Sequence, residues 1–535
     1  MPPVSKWLSA YSIGLLSVLV LLASVARVIG LDHLLVWHDE VFTLVRVLGH
    51  SQHEVQQAIF SAELLNAERL LDFQTPNPEL GWSEAFKAFA GHPEHAPLYY
   101  VLGRLTTSLP LDPLVSLRGL SAAFGILLIP ASYWLMQELF GRGLVPWVSA
   151  SLIAFSPLHF LYAQEARQYA LWTLLVVAAS AALQRALRRD GMADWVAYGI
   201  LVTLGLYSHL LFALLIPVHA VYGYLAANPN KGLFFPAAGR WAMATTAALT
   251  AFIPWLIVIL SNLERVERYT AWMTIPIGLD QIAASWGLHL ARIFVDLNPE
   301  TVDAHWVLVL PLFWVFVQFI RHAPRPGAWL LGLIALVYLS AVLAPDLMLG
   351  GERSRHVRYA LPGVLALQLM VAWVLAVAVR AEKRVTRFIG RGVLAAIIAV
   401  GGSSLFAIQA SDTWWNKNFS AKNAEVARIL NAGAHPLVVS SDIGLSSGEL
   451  ISLAHLLDDR VRIWGQRNGS EPVLPAGFDE TIALTPSPEL KALLEQEYKL
   501  VPVAGTWQWF RAIPRGSAAL LTPGVGSREK SSARP

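Results

Sequence analysis

The sequence predicts an α-helical polytopic membrane protein of about eleven transmembrane helices, followed by a small extracytoplasmic α/β domain. Three observations carry this. The 535 residues are 55% hydrophobic and only 14% charged, with mean hydropathy +0.50, whereas a soluble chain carries roughly a quarter of charged residues. Apolar runs near the ~20 residues needed to cross a bilayer recur through residues 1–409. Beyond about residue 410, short apolar runs alternate with helix-like stretches, the pattern of a partly parallel sheet with helices.

The runs fall at 11–30, 119–138, 145–162, 170–186, 194–207, 209–227, 241–261, 304–320, 328–345, 359–379 and 391–409. Lys and Arg collect in alternate loops, at Arg142, at Arg185, Arg188 and Arg189, at Lys231 with Arg240, at Arg321 with Arg325, and over 380–391. Those loops are therefore cytoplasmic, the N-terminus inside and the C-terminus outside. The first run, with Lys6 before it and Ser24-Val25-Ala26 near its end, imitates a secretion signal; the spans that follow make it an uncleaved first helix. Residues 1–409 form the transmembrane domain. Its first outer loop, 31–118, is long, and stretches 54–73 and 82–90 read as amphipathic helices on the membrane surface. The run 96–109 is short, carries Arg104 and ends at Pro110, so it reads as a surface or re-entrant helix. Residues 410–516 form the α/β domain, and 517–535, rich in Gly, Ser, Lys and Arg, a disordered tail.

Composition also excludes functions. There is no cysteine, hence no disulfide, thiolate zinc site or Cys nucleophile. A net charge of +3 gives no nucleic-acid surface. No phosphate-cradling glycine loop and no Gly-x-Ser-x-Gly elbow occurs. Twenty tryptophans suit many membrane interfaces.

The polar groups of interest map to one side. Trp37-His38-Asp39-Glu40 follows the first span. Adjacent carboxylates repel, so one keeps a proton unless a cation settles both; the plainer reading is an interfacial helix cap. In residues 156–169, Glu165, Arg167 and Tyr169 share one side of an extended turn, whereas a helix aligns only Glu165 and Tyr169; the alternative is a solvated loop with a local ion pair. In residues 350–359, Arg353, Arg355 and Arg358 present forks suited to phosphate, against simple headgroup snorkelling. His92, Glu94 and His95 could hold a divalent cation or act only through hydrogen bonds, and His209 could join them or cap a helix. Mid-span positions are nearly free of ionisable groups. That disfavours a transporter and favours an enzyme at the outer membrane surface.

Together these residues resemble the GT-C superfamily of integral-membrane glycosyltransferases. The likeness is greatest to bacterial relatives of protein O-mannosyltransferases and of the aminoarabinose transferase that modifies lipid A. It rests on Asp39-Glu40 after the first span, on His95-Ala96-Pro97-Leu98-Tyr99-Tyr100 (Ala96 standing where the family usually has Pro), and on residues 156–169. The resemblance implies a GT-C-like fold and inverting transfer of a sugar from a polyprenyl-phosphate donor to an acceptor hydroxyl on a lipid, glycan or protein. It implies Asp39 as general base and Glu40 as a group that orients the acceptor or shares a cation. His95, Tyr99, Glu165, Arg167, Tyr169, Arg353, Arg355, Arg358 and Tyr359 would bind substrate or the donor phosphate. The lipid tail would lie between spans, in the inner membrane of a bacterium, with the active site and C-terminal domain periplasmic. The rival readings are a flippase or transporter of a lipid-linked saccharide and an inactive scaffold.

Overall fold

The computed structural model describes residues 4–226, 234–297 and 306–515, so that Lys231 and the tail 517–535 lie outside the described residues. The chain divides into two compact units, Met1–Gln52 with Phe73–Asn418, and His53–Asp72 with Phe419–Pro535.

The first unit is helical. Six of its helices are long and apolar enough to cross a bilayer: Pro113–Phe140, Tyr169–Arg189, Ala237–Leu260, Arg325–Leu349, Leu361–Val379 and Arg384–Gln409. A further pair, Leu144–Ala154 and Pro157–Ala163, is bent by 60° and makes at most a seventh. The remaining apolar helices are Val4–Ala26, of 23 residues, and Met192–Ser208, Leu210–Ala226 and Trp306–His322, of 17 residues each. Each of the eleven apolar runs is thus occupied by a helix or, at 145–162, by the bent pair. The bend has a local cause. Pro157 has no N–H to give and drives the preceding residue out of the helical region; Ser156 is extended (φ −75°, ψ 118°), and its hydroxyl donates to the Ile293 carbonyl at 2.9 Å. Close packing follows from small side chains. A Cβ on Gly125 would lie 2.4 Å from that of Ala163, so glycine lets helix Pro113–Phe140 approach Pro157–Ala163.

Two short helices set the site. His38–Leu48 buries Val41, Leu44, Val45 and Leu48, the i, i+3, i+4, i+7 stripe of an amphipathic helix. It ends at Gly49, whose φ of 97° is the left-handed conformation glycine adopts without strain. Trp37 is its N-cap, so Asp39 and Glu40 lie in the first turn, where the helix dipole favours negative charge, and Asp39 is not the cap itself. Helix Leu98–Thr106 has nine residues, about 14 Å long, less than half the hydrocarbon thickness. Its Tyr99 is buried, with the phenol donating to the Leu117 carbonyl at 3.1 Å and 2.8 Å from the Ser121 hydroxyl.

The second unit holds a six-stranded sheet of β1 (Leu64–Leu65), β2 (Pro436–Ser441), β3 (Arg462–Gln466), β4 (Glu480–Leu484), β5 (Tyr498–Pro502) and β6 (Trp509–Pro514), in the order β1-β3-β2-β4-β6-β5. β2 is parallel to β3 and β4, and the other neighbours are antiparallel, the partly parallel sheet the sequence suggests. Helices Asn423–Ala432, Ser446–Ala454 and Pro488–Glu497 accompany it. Leu437 and Val439 of β2 meet Ala483, Leu490 and Leu494 in its core, and β2 is buried along its whole length, as a central parallel strand should be. Part of the first outer loop belongs here. Leu64 and Leu65 pair with Trp464 and Ile463, and Ala67–Leu71 packs on Ser446–Ala454. Residues 53–72 are therefore part of the second unit, to which they add a strand and short helices. An exposed β3 edge would invite intermolecular pairing, and β1 covers it.

Gly465 is the tight point of this unit, since a Cβ there would sit 2.2 Å from the Ile59 carbonyl oxygen. Gly465→Ala is expected to destabilise the sheet domain by about 1–3 kcal/mol, read as faster limited proteolysis within residues 419–515 with transmembrane helicity unchanged.

Candidate functional site

The start of helix His38–Leu48 sends its two carboxylates into different surroundings. Glu40 is fully buried. Arg118 grips it with Nε 2.8 Å from Oε1 and Nη2 2.7 Å from Oε2. Lys417 Nζ lies 2.7 Å from Oε2, and the Ala166 N–H donates to Oε1 at 2.9 Å. Burial alone would raise this carboxyl, but Arg118 and Lys417 outweigh it and hold it at about 2. The remaining Arg118 N–H groups donate to the carbonyls of Leu31, Leu34 and Leu35. Both Glu40 oxygens are thus engaged by the protein. Through Arg118 and Lys417 it ties the residues after the first span to helix Pro113–Phe140 and to the stretch after the last span.

Asp39 keeps contact with solvent, its side chain 18% exposed. Oδ2 is 3.0 Å from Arg358 Nη1 and 3.8 Å from Arg167 Nη2. Burial pushes the carboxyl up, but the charges of Arg167 and Arg358 outweigh it and hold it well below the usual carboxylate range. Arg167 Nη1 also donates to the Thr43 hydroxyl at 3.2 Å and to the Asp39 carbonyl at 3.3 Å. Aromatic faces surround the pair. The Arg358 guanidinium lies 5.7 Å from the Trp37 ring and 5.4 Å from Tyr359, and Arg167 lies 5.8 Å from Tyr169. Trp172 stacks on His209 at 4.1 Å, while His209 also caps the turn that follows it by accepting the Leu211 N–H.

The turn 164–168 separates Glu165 from Arg167. Neither geometry weighed for this segment applies, because the chain bends there and the two side chains diverge. Glu165 accepts from Asn416 Nδ2 at 2.7 Å. Burial pushes its carboxyl up to about 7; Lys417 opposes this, and the charges on Glu40 and Asp39 add to it. Folding therefore favours protonated Glu165. This contribution to stability is full below about 4.5, the ordinary Glu value, and is lost as pH rises through about 7. Glu165→Gln is expected to flatten that decline, worth at most about 3 kcal/mol, in melting temperatures recorded from pH 4.5 to 8.

Of the three clustered arginines, Arg358 alone reaches the carboxylate. Arg353 pairs with Asp346 at 3.0 Å and with the Gly350 carbonyl, and Arg355 pairs with Glu352 at 3.2 Å, half exposed. Two successive 3-10 turns, Arg353–Arg355 and Val357–Tyr359, rotate each residue about 120° from the last, so the three forks point apart. The His92, Glu94 and His95 trio stays together differently from a metal centre. Glu94 Oε1 lies 3.2 Å from His92 Nδ1 and 3.7 Å from His95 Nε2, and among the described residues no three His, Asp or Glu side chains converge as metal ligands. Burial, then Arg46, lowers His92 to about 4 and lowers His95 as well, leaving neutral imidazoles. His95 Nδ1 is 3.5 Å from Gln168 Nε2. Tyr99 serves the packing of its helix.

Sequence reasoning missed Arg118, Asn416 and Lys417. Arg118 stands immediately before the apolar run 119–138, and Trp414-Trp415-Asn416-Lys417 follows the last span. Both look like ordinary interfacial anchors until folding brings them to Glu40 and Glu165. Buried polar atoms without a protein partner also gather here, namely Arg358 Nε, Arg167 Nε, Glu165 Oε1, Asn416 Oδ1 and Gln168 Oε1. Such groups are normally satisfied, and those of Arg167 and Arg358, both beside Asp39, offer donors to a polar ligand.

Over nearly the whole chain the structure resembles ArnT from Cupriavidus metallidurans. With ArnT bound to undecaprenyl phosphate it shares 14% identity at a TM-score of 0.53, covering 93% of this chain and 98% of ArnT. With the apo state the values are 13%, 0.55, 94% and 98%. The fold is therefore like that of ArnT. A model of the family described as dolichyl-phosphate-mannose-protein mannosyltransferase matches residues 94–258. The match takes in the His95 segment, Arg118 and the Glu165–Arg167 turn, and stops short of Asp39 on one side and Arg358 on the other. No curated protein sequence matches this chain. Within this fold Arg118, the turn 164–168, Arg358 and Lys417 meet around Asp39 and Glu40.

Proposed function

We propose that this protein transfers a sugar from a polyprenyl-phosphate donor to an acceptor hydroxyl, with inversion, on the outer face of a bacterial inner membrane. One observation carries the reading: a partly exposed carboxylate, Asp39, lies beside two guanidiniums, Arg358 at 3.0 Å and Arg167 at 3.8 Å, each with an Nε lacking a protein partner. The two arginines take the donor phosphate, their forks matched to its oxygens. Asp39 accepts the acceptor proton as the acceptor oxygen bonds to the anomeric carbon from the side opposite the phosphate. The carbon–oxygen bond to phosphate breaks, the electron pair leaves with polyprenyl phosphate, and the guanidiniums balance the charge that develops. ArnT, whose structure was determined with undecaprenyl phosphate, supports a carrier lipid of that class. Without donor the arginines restrain Asp39; an incoming phosphate competes for them and restores basicity to the carboxylate. Arg353 and Arg355 shape the loop that presents Arg358.

The test follows radiolabelled sugar from a synthetic polyprenyl-phosphate donor in proteoliposomes. Wild type is expected to move label to the acceptor. Arg358→Ala is expected to weaken this about 10²-fold, the scale of losing one transition-state donor, whereas Arg355→Ala changes it less than twofold. Label that crosses the bilayer still attached to its carrier would replace the transferase reading with a flippase.

A further inference from the structure

Helices Pro113–Phe140 and Tyr169–Arg189 pack together, and their first residues lead to the site at Asp39. Glu138, twenty residues beyond Arg118, lies about 30 Å further along. At that far end the two helices enclose a cavity of about 420 Å³ lined by Trp134, Glu138, Arg142, Arg185, Arg188 and Arg189. Four guanidiniums face one carboxylate. Glu138, its side chain 6% exposed, accepts from Arg188 Nε at 3.1 Å and Nη2 at 2.6 Å, while Trp134 Nε1 donates to its other oxygen at 3.3 Å. Arg185 is held by Asp194 at 2.7 Å. Arg142 and Arg189 have no carboxylate partner among the described residues. A basic loop kept only for topology needs neither a concave wall nor a buried glutamate fixing one guanidinium in it. We infer that this cavity binds the phosphate headgroup of an anionic membrane lipid, at a site separate from the one around Asp39.

Placement favours a lipid over a soluble phosphate compound. Asp194, which fixes Arg185, belongs to helix Met192–Ser208, whose Met192, Val196 and Ile200 are apolar and more than half exposed. Acyl chains lying on that flank bring a headgroup to Arg142 and Arg189, and Trp134 marks the level at which headgroups sit.

The experiment is native mass spectrometry of the detergent-purified full chain, titrated with phosphatidylglycerol or with phosphatidylcholine of the same acyl chains. Wild type is expected to retain the anionic lipid in preference. Arg142→Gln/Arg189→Gln is expected to bind it about 30-fold more weakly, and each single variant about fivefold. Both side chains are exposed, so an unchanged melting temperature serves as the folding control. Equal retention of the two lipids by wild type, or equal phosphatidylglycerol binding by wild type and the double variant, would overturn the site. Displacement of the lipid by millimolar inorganic phosphate would assign the cavity to a soluble anion and overturn the lipid.

Discussion

Asp39→Asn is expected to lower the turnover of sugar transfer by about 10²–10⁴-fold, the range of a lost general base, while the KM for donor stays level or falls. Asparagine keeps the shape of the side chain and an oxygen for Arg358, so the helix start at Trp37 is undisturbed. What disappears is the charge that accepts a proton and competes with phosphate for Arg167 and Arg358. Freed of that competitor, the guanidiniums bind the donor at least as well. The decisive readout is the split between the two constants in proteoliposomes. Unchanged turnover would remove Asp39 from the chemistry, and a rise in KM with turnover preserved would reduce it to a binding group. Because the two arginines hold the carboxyl low in the donor-free protein, kcat/KM is expected to persist well into acid, whereas the acid limb of kcat, which reports the donor complex, falls at higher pH.

Glu40→Gln is expected to cost about 3–5 kcal/mol of stability, the penalty of removing one partner from a buried ion pair. Two cations, Arg118 and Lys417, lose their counter-charge at once, both fully or nearly fully buried. Lys417→Met leaves Glu40 with Arg118 and should cost less. Combining the two changes should be milder than the sum of the single losses, because the methionine removes one of the charges that the glutamine strands. Melting temperatures of the four proteins give the coupling directly. Additive losses would show that Lys417 and Glu40 do not depend on each other, whatever their 2.7 Å separation.

The helical membrane architecture and the terminal α/β unit were legible because both leave local marks. Twenty apolar residues read as a span, and alternating short runs read as strands and helices. Asp39, Arg167 and Arg358, which the fold brings together, were legible as candidates because charged groups at the ends of apolar segments stand out. The division of labour between Asp39 and Glu40 was not. Neighbours in sequence differ by about 100° on a helix, and only tertiary structure decides which of them meets Arg118 and Lys417 and which keeps contact with water. The three arginines of 353–358 failed as a set for a related reason, since spacing says nothing about how 3-10 turns aim each fork. The pairing of residues 64–65 with 463–464 was equally hidden, because two apolar residues carry no period and their partner is remote.

That remote pairing sets an order of events during synthesis. Leu64 leaves the ribosome 400 residues before Trp464, its partner in the sheet. At ~5–20 residues per second, segment 53–72 waits on the order of 20–80 s with its β-edge and its apolar side chains uncovered. Until residues 436–466 emerge it has no sheet to join. A nascent chain arrested before residue 436 therefore exposes this segment to proteases and chaperones, and a full-length chain withdraws it. Completion of the last domain thus acts as a check on the first loop, and a chain truncated within residues 419–515 is a substrate for quality control even when every membrane helix has been inserted.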